Sequence, residues 1–240
     1  MGSPVNTPNS RDNERPVRAV TVSAFYMGRF PVTQGEWYDV MGGRPSGFTG
    51  ETCFWGDPVT GVNWRSLPVE QVNWFNAVAF ANALSVQAGL EPAYTINGAT
   101  VTWNRDANGY RLPTEAEWEF AARGGIVCQG DFIFSGSNTA NDVAWTNWNS
   151  GWRTHEVGQL MPNALGLYDM SGNVWEWVWD WWGTYPATAQ TDPTGPAAGG
   201  LRVFRGGSWG DTPEYARSAI RSGNFPALRD EGIGFRVVRL

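Results

Sequence analysis

Near its C-terminus the chain carries 23 consecutive residues, 210–232, with neither strand alternation nor helical periodicity. Arg205-Gly206-Gly207-Ser208-Trp209 precedes them, and Ile233-Gly234-Phe235-Arg236-Val237-Val238 follows. An irregular stretch of that length inside a compact domain is uncommon and usually functional. It constrains the fold, because a scaffold must grip both ends and tolerate an irregular middle. A tight Gly-Gly turn followed by Trp supplies one grip, and an apolar strand supplies the other. That is how a binding surface is built; a surface loop with no task is the alternative.

The remainder of the chain suits such a scaffold. Among 240 residues there are 15 Trp and 30 Gly. Trp contributes large amphipathic area and an indole N–H that needs a partner when buried. Gly supplies tight turns. Together they predict a loop-rich fold held by aromatic packing rather than by long helices. Large aromatics run from Phe25 to Phe235 without a linker or low-complexity tract, so residues 1–240 read as one domain, long enough to bury a sizeable core. A net charge of −6 argues against nucleic acid as a partner. No run of about 18 apolar residues is present to span a membrane, and no signal peptide is recognisable. Cys53 and Cys128 are too few for a disulfide scaffold and lack metal spacing; they pair or stay free.

Regular elements concentrate in the first half. Residues 19–33 read as strand material. Thr33 with Glu36 forms a capping box, which predicts a short helix. Residues 42–62 are a Gly/Pro-rich loop. A second helix runs from about Asn73 to Gln87, with Val78, Phe80, Ala81 and Leu84 at helical spacing and Gly89 beyond it. Residues 94–96 and 99–103 form a hairpin around Asn97-Gly98. Thr114 and Glu117 box the third helix, which Gly124 stops. Beyond residue 126 loops dominate.

Chemistry-bearing groups are sparse. His155 is the single histidine, and a lone His is more often packed than catalytic. There is no phosphate-cradling loop and no nucleophile elbow. A zinc site or a Ser–His pair needs more imidazoles than this chain has. Asp169 and Glu176 flank a Gly-containing turn. Two carboxylates with backbone oxygens suit a hard cation such as calcium, although Val174-Trp175-Glu176-Trp177-Val178-Trp179 also fits a plain strand after a solvated turn.

Several stretches share one resemblance: "GYRLPTEAEWEFAARGG" at 109–125, "NALGLYDMSGNVWEWVWDWW" at 163–182, "RVFRGGSWG", and "GIGFRVVR". "FYMGRFPVTQGEWYDVM" and "PVEQVNWFNAVAFANALS" extend it towards the N-terminus. They resemble the formylglycine-generating, or sulfatase-modifying factor, domain family over nearly the whole chain. The resemblance implies a C-type-lectin-like fold, α+β with low regular secondary structure. Catalytic members resemble one another in two cysteines shortly after the Gly-Gly-Ser-Trp/Tyr motif, which bind copper and activate oxygen. The matching positions here are Asp211 and Ala216, neither of them a thiolate. Iron-dependent relatives use a His-rich site, which one His does not supply. The family's structural calcium site maps onto Asp169, Gly172, Val174 and Glu176, so calcium is the expected cofactor. Met1-Gly2-Ser3 resembles an internal family motif. The chain is therefore expected to begin part-way into the family pattern, without any upstream export or lipid signal, and a cell-surface or secreted location is expected.

A narrower resemblance covers 205–236, which is similar to the variable region of diversity-generating retroelement proteins. Their constant positions match Arg205 to Trp209, Ala216-Arg217-Ser218-Ala219, Arg221, Pro226, Arg229 and Ile233 to Arg236. The intervening positions are Gly210, Asp211, Tyr215, Ile220, Ser222, Gly223, Asn224, Phe225, Ala227, Leu228, Asp230, Glu231 and Gly232. They mix aromatic, apolar and acidic groups as a paratope does. Arg217, Arg221 and Arg229 are expected to hold loop carbonyls and carboxylates from below. The resemblance implies a non-catalytic protein that binds variable protein or other macromolecular ligands. Phe225, Tyr215, Leu228 and Ile220 would be anchors; Asp211, Asp230 and Glu231 would be selectors. The alternatives are a copper-dependent oxidase-like enzyme and an inactive scaffold relative.

Overall fold

The computed structural model describes residues 1–52, 54–56, 58–127 and 130–240. Cys53 and Cys128 lie outside the described residues, and with them the question of their pairing. Three helices form where capping residues start them. Helix α1, Gln34–Met41, begins at Thr33, whose hydroxyl accepts from the Glu36 N–H while the Glu36 carboxylate accepts from the Thr33 N–H. Helix α2, Trp74–Gln87, is boxed in the same way by Asn73 and Asn76. Helix α3, Glu115–Ala122, is boxed by Thr114 and Glu117. The expected hairpin pairs Tyr94–Asn97 with Thr100–Trp103.

The centre of the molecule is a four-stranded sheet in the order 221–224, 202–205, 175–181, 233–235. Strand Arg202–Arg205 runs antiparallel to both Trp175–Trp181 and Arg221–Asn224. Ile233–Phe235 runs parallel to Trp175–Trp181. The ends of the irregular segment are thus two strands of the central sheet, and its middle must bridge them. The remaining strands are short pairs, which gives an α+β architecture with little regular structure.

Two expectations change. Residues 19–33 yield only Val20–Thr21 and Tyr26–Met27, because their partners, Gln190–Thr191 and Val238–Arg239, are equally short. Residues 210–232 are not wholly irregular. They contain a 3-10 turn, Pro213–Ala216, and the edge strand Arg221–Asn224. That strand escaped its sequence because Arg221, Ser222, Gly223 and Asn224 carry no apolar alternation.

Several buried tryptophans find partners for their indole N–H groups, although the Trp145 indole N–H is buried without one. Trp177 donates to the Val72 carbonyl at 3.0 Å, Trp74 to that of Val178 at 2.9 Å, and Trp118 to Glu176 Oε2 at 2.6 Å. Trp74, Trp177, Phe80 and Phe235 lie in the largest apolar cluster, which α2 and the sheet share. Beside it runs a row of buried ion pairs. Arg205 pairs with Glu119 at 2.5 Å, Arg221 with Glu115 at 2.7 Å, Arg217 with Glu14 at 2.5 Å, and Arg236 with Glu176 at 2.6 Å. Burial alone would raise the Glu119 carboxyl. The Arg205 guanidinium, with help from Arg123, outweighs it and holds the group below its ordinary value.

Removing one member of a buried pair strands the other without compensation. Glu119→Gln is expected to cost about 3–5 kcal/mol in urea denaturation. Asp39→Asn, which breaks the exposed Arg65–Asp39 pair, should cost about 1 kcal/mol or less. Equal costs would contradict the structural weight given to the buried row.

Candidate functional site

Segment 205–236 is supported from beneath by arginine. Arg205 is fully buried in strand 202–205. Its Nη1 donates to the Ala219 carbonyl at 2.9 Å and to that of Ile220, and its Nη2 donates to the Ser218 carbonyl at 3.1 Å. One guanidinium therefore holds three successive loop carbonyls. Arg217 reaches the Glu214 and Asn9 carbonyls, and Arg221 the Asn13 and Gly183 carbonyls. Those two match the expected supporting role. Arg229 instead lies exposed and donates to the Gln71 carbonyl at 2.7 Å.

The 13 intervening positions divide into three groups. Phe225, Ala227 and Asp230 face solvent, and Phe225 is 66% exposed. Gly210, Asp211, Tyr215, Ser222, Asn224, Leu228 and Glu231 are half-buried. A side chain added at Gly210 would meet open space. Tyr215 and Leu228 lean on the main apolar cluster, and the Arg11 guanidinium lies 4.1 Å from the Tyr215 ring centre.

Three positions are corrected. Ile220 is 0% exposed and belongs to the core, so it cannot serve as a ligand anchor. A Cβ at Gly223 would lie 2.9 Å from Trp182, and one at buried Gly232 would lie 3.1 Å from Ser208, so neither position is freely exchangeable. All three sit where the loop rejoins the sheet or the Gly-Gly-Ser-Trp turn. Asp211 is also less free than a selector should be. Its Oδ2 accepts from Trp175 Nε1 at 2.8 Å, from the Ser208 N–H at 3.0 Å and from the Ser208 hydroxyl at 2.5 Å.

An aromatic patch that the sequence did not reveal adjoins this surface. Trp209 is buried and stacks edge-on against Phe48 at 5.1 Å. It also meets Phe54 at 5.5 Å and Trp152 at 6.2 Å. Phe54, Trp55 and Trp152 are substantially exposed, and the Phe54 N–H donates to the Trp152 carbonyl at 2.9 Å, joining two distant loops. The Trp209 indole donates to the Glu231 carbonyl at 3.0 Å, so the patch continues into the loop. Only "CFWG" inside a Gly/Pro-rich stretch hinted at it.

His155 belongs to the floor under Trp209. It is buried, stacked on Trp145 with ring centres 3.7 Å apart, and its Nε2 bonds the Ser150 carbonyl at 2.7 Å. Ser150 Oγ in turn donates to the Trp209 carbonyl. Burial lowers the imidazole pKa to about 4. It is therefore neutral with Nε2 protonated, the packed residue expected of a lone His.

The calcium expectation meets an obstacle at Glu176. Its Oε1 accepts from Arg236 Nη2 at 2.6 Å, and its Oε2 from Arg236 Nε at 2.7 Å and from the Trp118 indole. The carboxylate is paired with Arg236 and accepts three hydrogen bonds in all. Asp169 accepts from the Gly158 N–H and from the Asn173 amide, and burial pushes its carboxyl up to about 6. Gly172 and Val174 then offer only backbone oxygens. A hard dication held by Asp169, Gly172, Val174 and Glu176 would share the Glu176 carboxylate with Arg236 and Trp118.

Comparison with known proteins shows the family and the fold. Residues 1–240 match the model of the sulfatase-modifying factor enzyme 1-like domain. Treponema denticola variable protein 1 is similar in structure, with a TM-score of 0.86 and 36% identity, over 99% of this chain and 90% of that one. The chaperone protein LppX of Paenibacillus barcinonensis is 39% identical, over 92% of this chain and 81% of its own length. The formylglycine-generating enzyme of Mus musculus is 30% identical, over 94% of this chain and 68% of its own length.

Two outcomes are expected. His155 titrates in NMR spectra with a midpoint near 4, far below the ordinary 6.5. Between those values the unfolded chain binds a proton that the folded chain refuses, so this contribution to stability falls as pH drops through the window. A midpoint near 6.5 would contradict the packing. Adding EDTA to the purified protein should leave its melting temperature unchanged; a clear drop would restore the calcium site.

Proposed function

The chain belongs to the sulfatase-modifying factor enzyme 1-like family, and within it we propose a non-catalytic binding protein that recognises macromolecular ligands through the exposed part of 205–236. The observation that carries this reading is the split within the segment. Arg205, Arg217, Arg221 and Arg236 are buried, each paired with a glutamate, and Arg205 holds the 218–220 carbonyls, whereas Phe225, Ala227 and Asp230 project into solvent from a backbone whose Pro226 and Asp230 carbonyls accept from the Trp74 and Gln71 N–H groups. A fixed frame with free tips lets side chains change without moving the chain, as a paratope requires. Solvent-facing and half-buried tips, namely Ser222, Asn224, Phe225, Ala227, Asp230 and Glu231, are the exchangeable positions on this account. Their variety is of the kind produced in diversity-generating retroelement proteins. The similarity to a protein whose name is variable protein 1 supports the reading.

Catalysis of the copper-oxidase kind is disfavoured by residue chemistry. At the two family cysteine positions stand Asp211, an oxygen donor spent on Ser208 and Trp175, and Ala216, which has no donor. The exposed aromatics Phe54, Trp55 and Trp152 extend the surface with rigid apolar area, the kind that dominates binding energy at interfaces. Exposure at the cell surface or in secreted form belongs to this reading, since a diversified surface is useful only where foreign ligands are met.

A displayed library tests the proposal. Randomising the six exchangeable positions together and selecting against hen lysozyme should yield binders whose melting temperature stays close to that of the parent. Selected clones that have all lost the cooperative melt would refute the split. Copper-dependent oxidation of a cysteine-containing peptide by the unmodified protein would refute the non-catalytic assignment.

A further inference from the structure

A cavity of about 360 Å³ opens beside Tyr185, lined by Arg18, Glu115, Asp180, Trp181, Tyr185 and Arg221 together with a proline-rich turn, Pro193 to Pro196. None of the exposed loop tips lines it. Its volume lies at the small end of the range of small-molecule sites.

The electrostatics of this cavity are unbalanced. Arg18 and Arg221 both lie over the Tyr185 ring, at 4.3 Å and 4.1 Å from its centre. Arg221 is neutralised by Glu115 through two bonds of 2.7 Å. Arg18 has no such partner. It is 9% exposed, its Nε is buried without a hydrogen-bond acceptor, and Nη2 reaches only the Met1 sulfur, at 3.4 Å. Among the described residues no carboxylate lies within ion-pair distance of it. A guanidinium has five donors, and burying it unpaired is costly.

The carboxyl groups that line the cavity are otherwise engaged. Glu115 also accepts from the Tyr185 hydroxyl at 2.9 Å. Asp180 accepts from the Glu115 N–H at 2.8 Å, and burial, reinforced by the Glu115 charge, pushes its carboxyl well above the ordinary value. Asp192 is half-buried, and bonds from the Ser23 N–H and hydroxyl hold its carboxyl below the ordinary value, so it is ionised. Arg18 is therefore the buried cation on the wall without an ion-pair partner, and it carries the planar fork that grips a carboxylate in two bonds. Around it, Trp181, Pro186, Pro193 and Pro196 offer apolar walls.

We infer that this cavity is a second binding site, for a small organic carboxylate whose charge pairs with Arg18 and whose apolar body packs against Trp181 and the prolines. It is independent of the macromolecular surface. Calorimetry with benzoate and, separately, inorganic phosphate tests it on the full chain. Benzoate should bind at one site with a dissociation constant of about 1 mM or below. Arg18→Gln should weaken it by about tenfold or more. Thr194→Phe, which fills the cavity from its half-buried rim and leaves Arg18 intact, should abolish binding with little change in melting temperature, and it serves as the test should Arg18→Gln not fold. No benzoate binding, equal affinity in Arg18→Gln, unchanged binding in Thr194→Phe, or tighter binding of phosphate than of benzoate would each overturn the assignment.

Discussion

The contact on which segment 205–236 depends is the buried guanidinium of Arg205. It sits in the central sheet, pairs with Glu119 of α3, and holds the carbonyls of Ser218, Ala219 and Ile220. Carbonyls in a segment that leaves regular structure need donors or water. Arg205 supplies three from one group, so residues 218–220 can be buried without belonging to a helix or strand. Everything beyond, from the edge strand 221–224 to the turn at 225–228, starts from that fixed point. Glu14 and Glu115 repeat the device under Arg217 and Arg221. The N-terminal segment is thereby tied to residues about two hundred positions away.

Much of this was legible in the sequence because it is local. Thr33 with Glu36 and Thr114 with Glu117 announce their helices through groups three residues apart, and Asn97-Gly98 announces the hairpin. The family's ordered motifs made the fold legible as well. What escaped was long-range. Nothing near Ile220 distinguishes a core residue from an anchor; its burial follows from the sheet register and from Arg205. Gly223 and Gly232 read as neutral positions until Trp182 and Ser208 come against them. That Glu176 shares its carboxylate with Arg236, sixty residues later, cannot be seen from its own neighbourhood. The patch of Phe54, Trp55, Trp152 and Trp209 joins three separate segments, so no window of sequence contains it.

On the proposed reading, the same scaffold separates two kinds of recognition. The loop tips and aromatic patch are open and extended, suited to a macromolecular face. The Tyr185 cavity is small and carries an uncompensated cation, suited to a small anion. Arg221 contributes to both. It anchors the edge strand of the loop and neutralises the Glu115 carboxylate that would otherwise compete with the proposed ligand for Arg18. At the family's cysteine positions Asp211 and Ala216 have become supports of the turn, with Asp211 tying Ser208 to Trp175.

The central claim is that segment 205–236 is a rigid frame carrying replaceable tips. A saturation scan of folding stability across these residues, read by protease resistance of displayed variants, tests it most directly. The account predicts intolerance at Arg205, Arg217, Ile220, Arg221, Gly223, Gly232 and Arg236. It predicts near-neutral substitution at Ser222, Asn224, Phe225, Ala227 and Asp230. A uniform profile, or one in which the exposed tips are the intolerant positions, would contradict it.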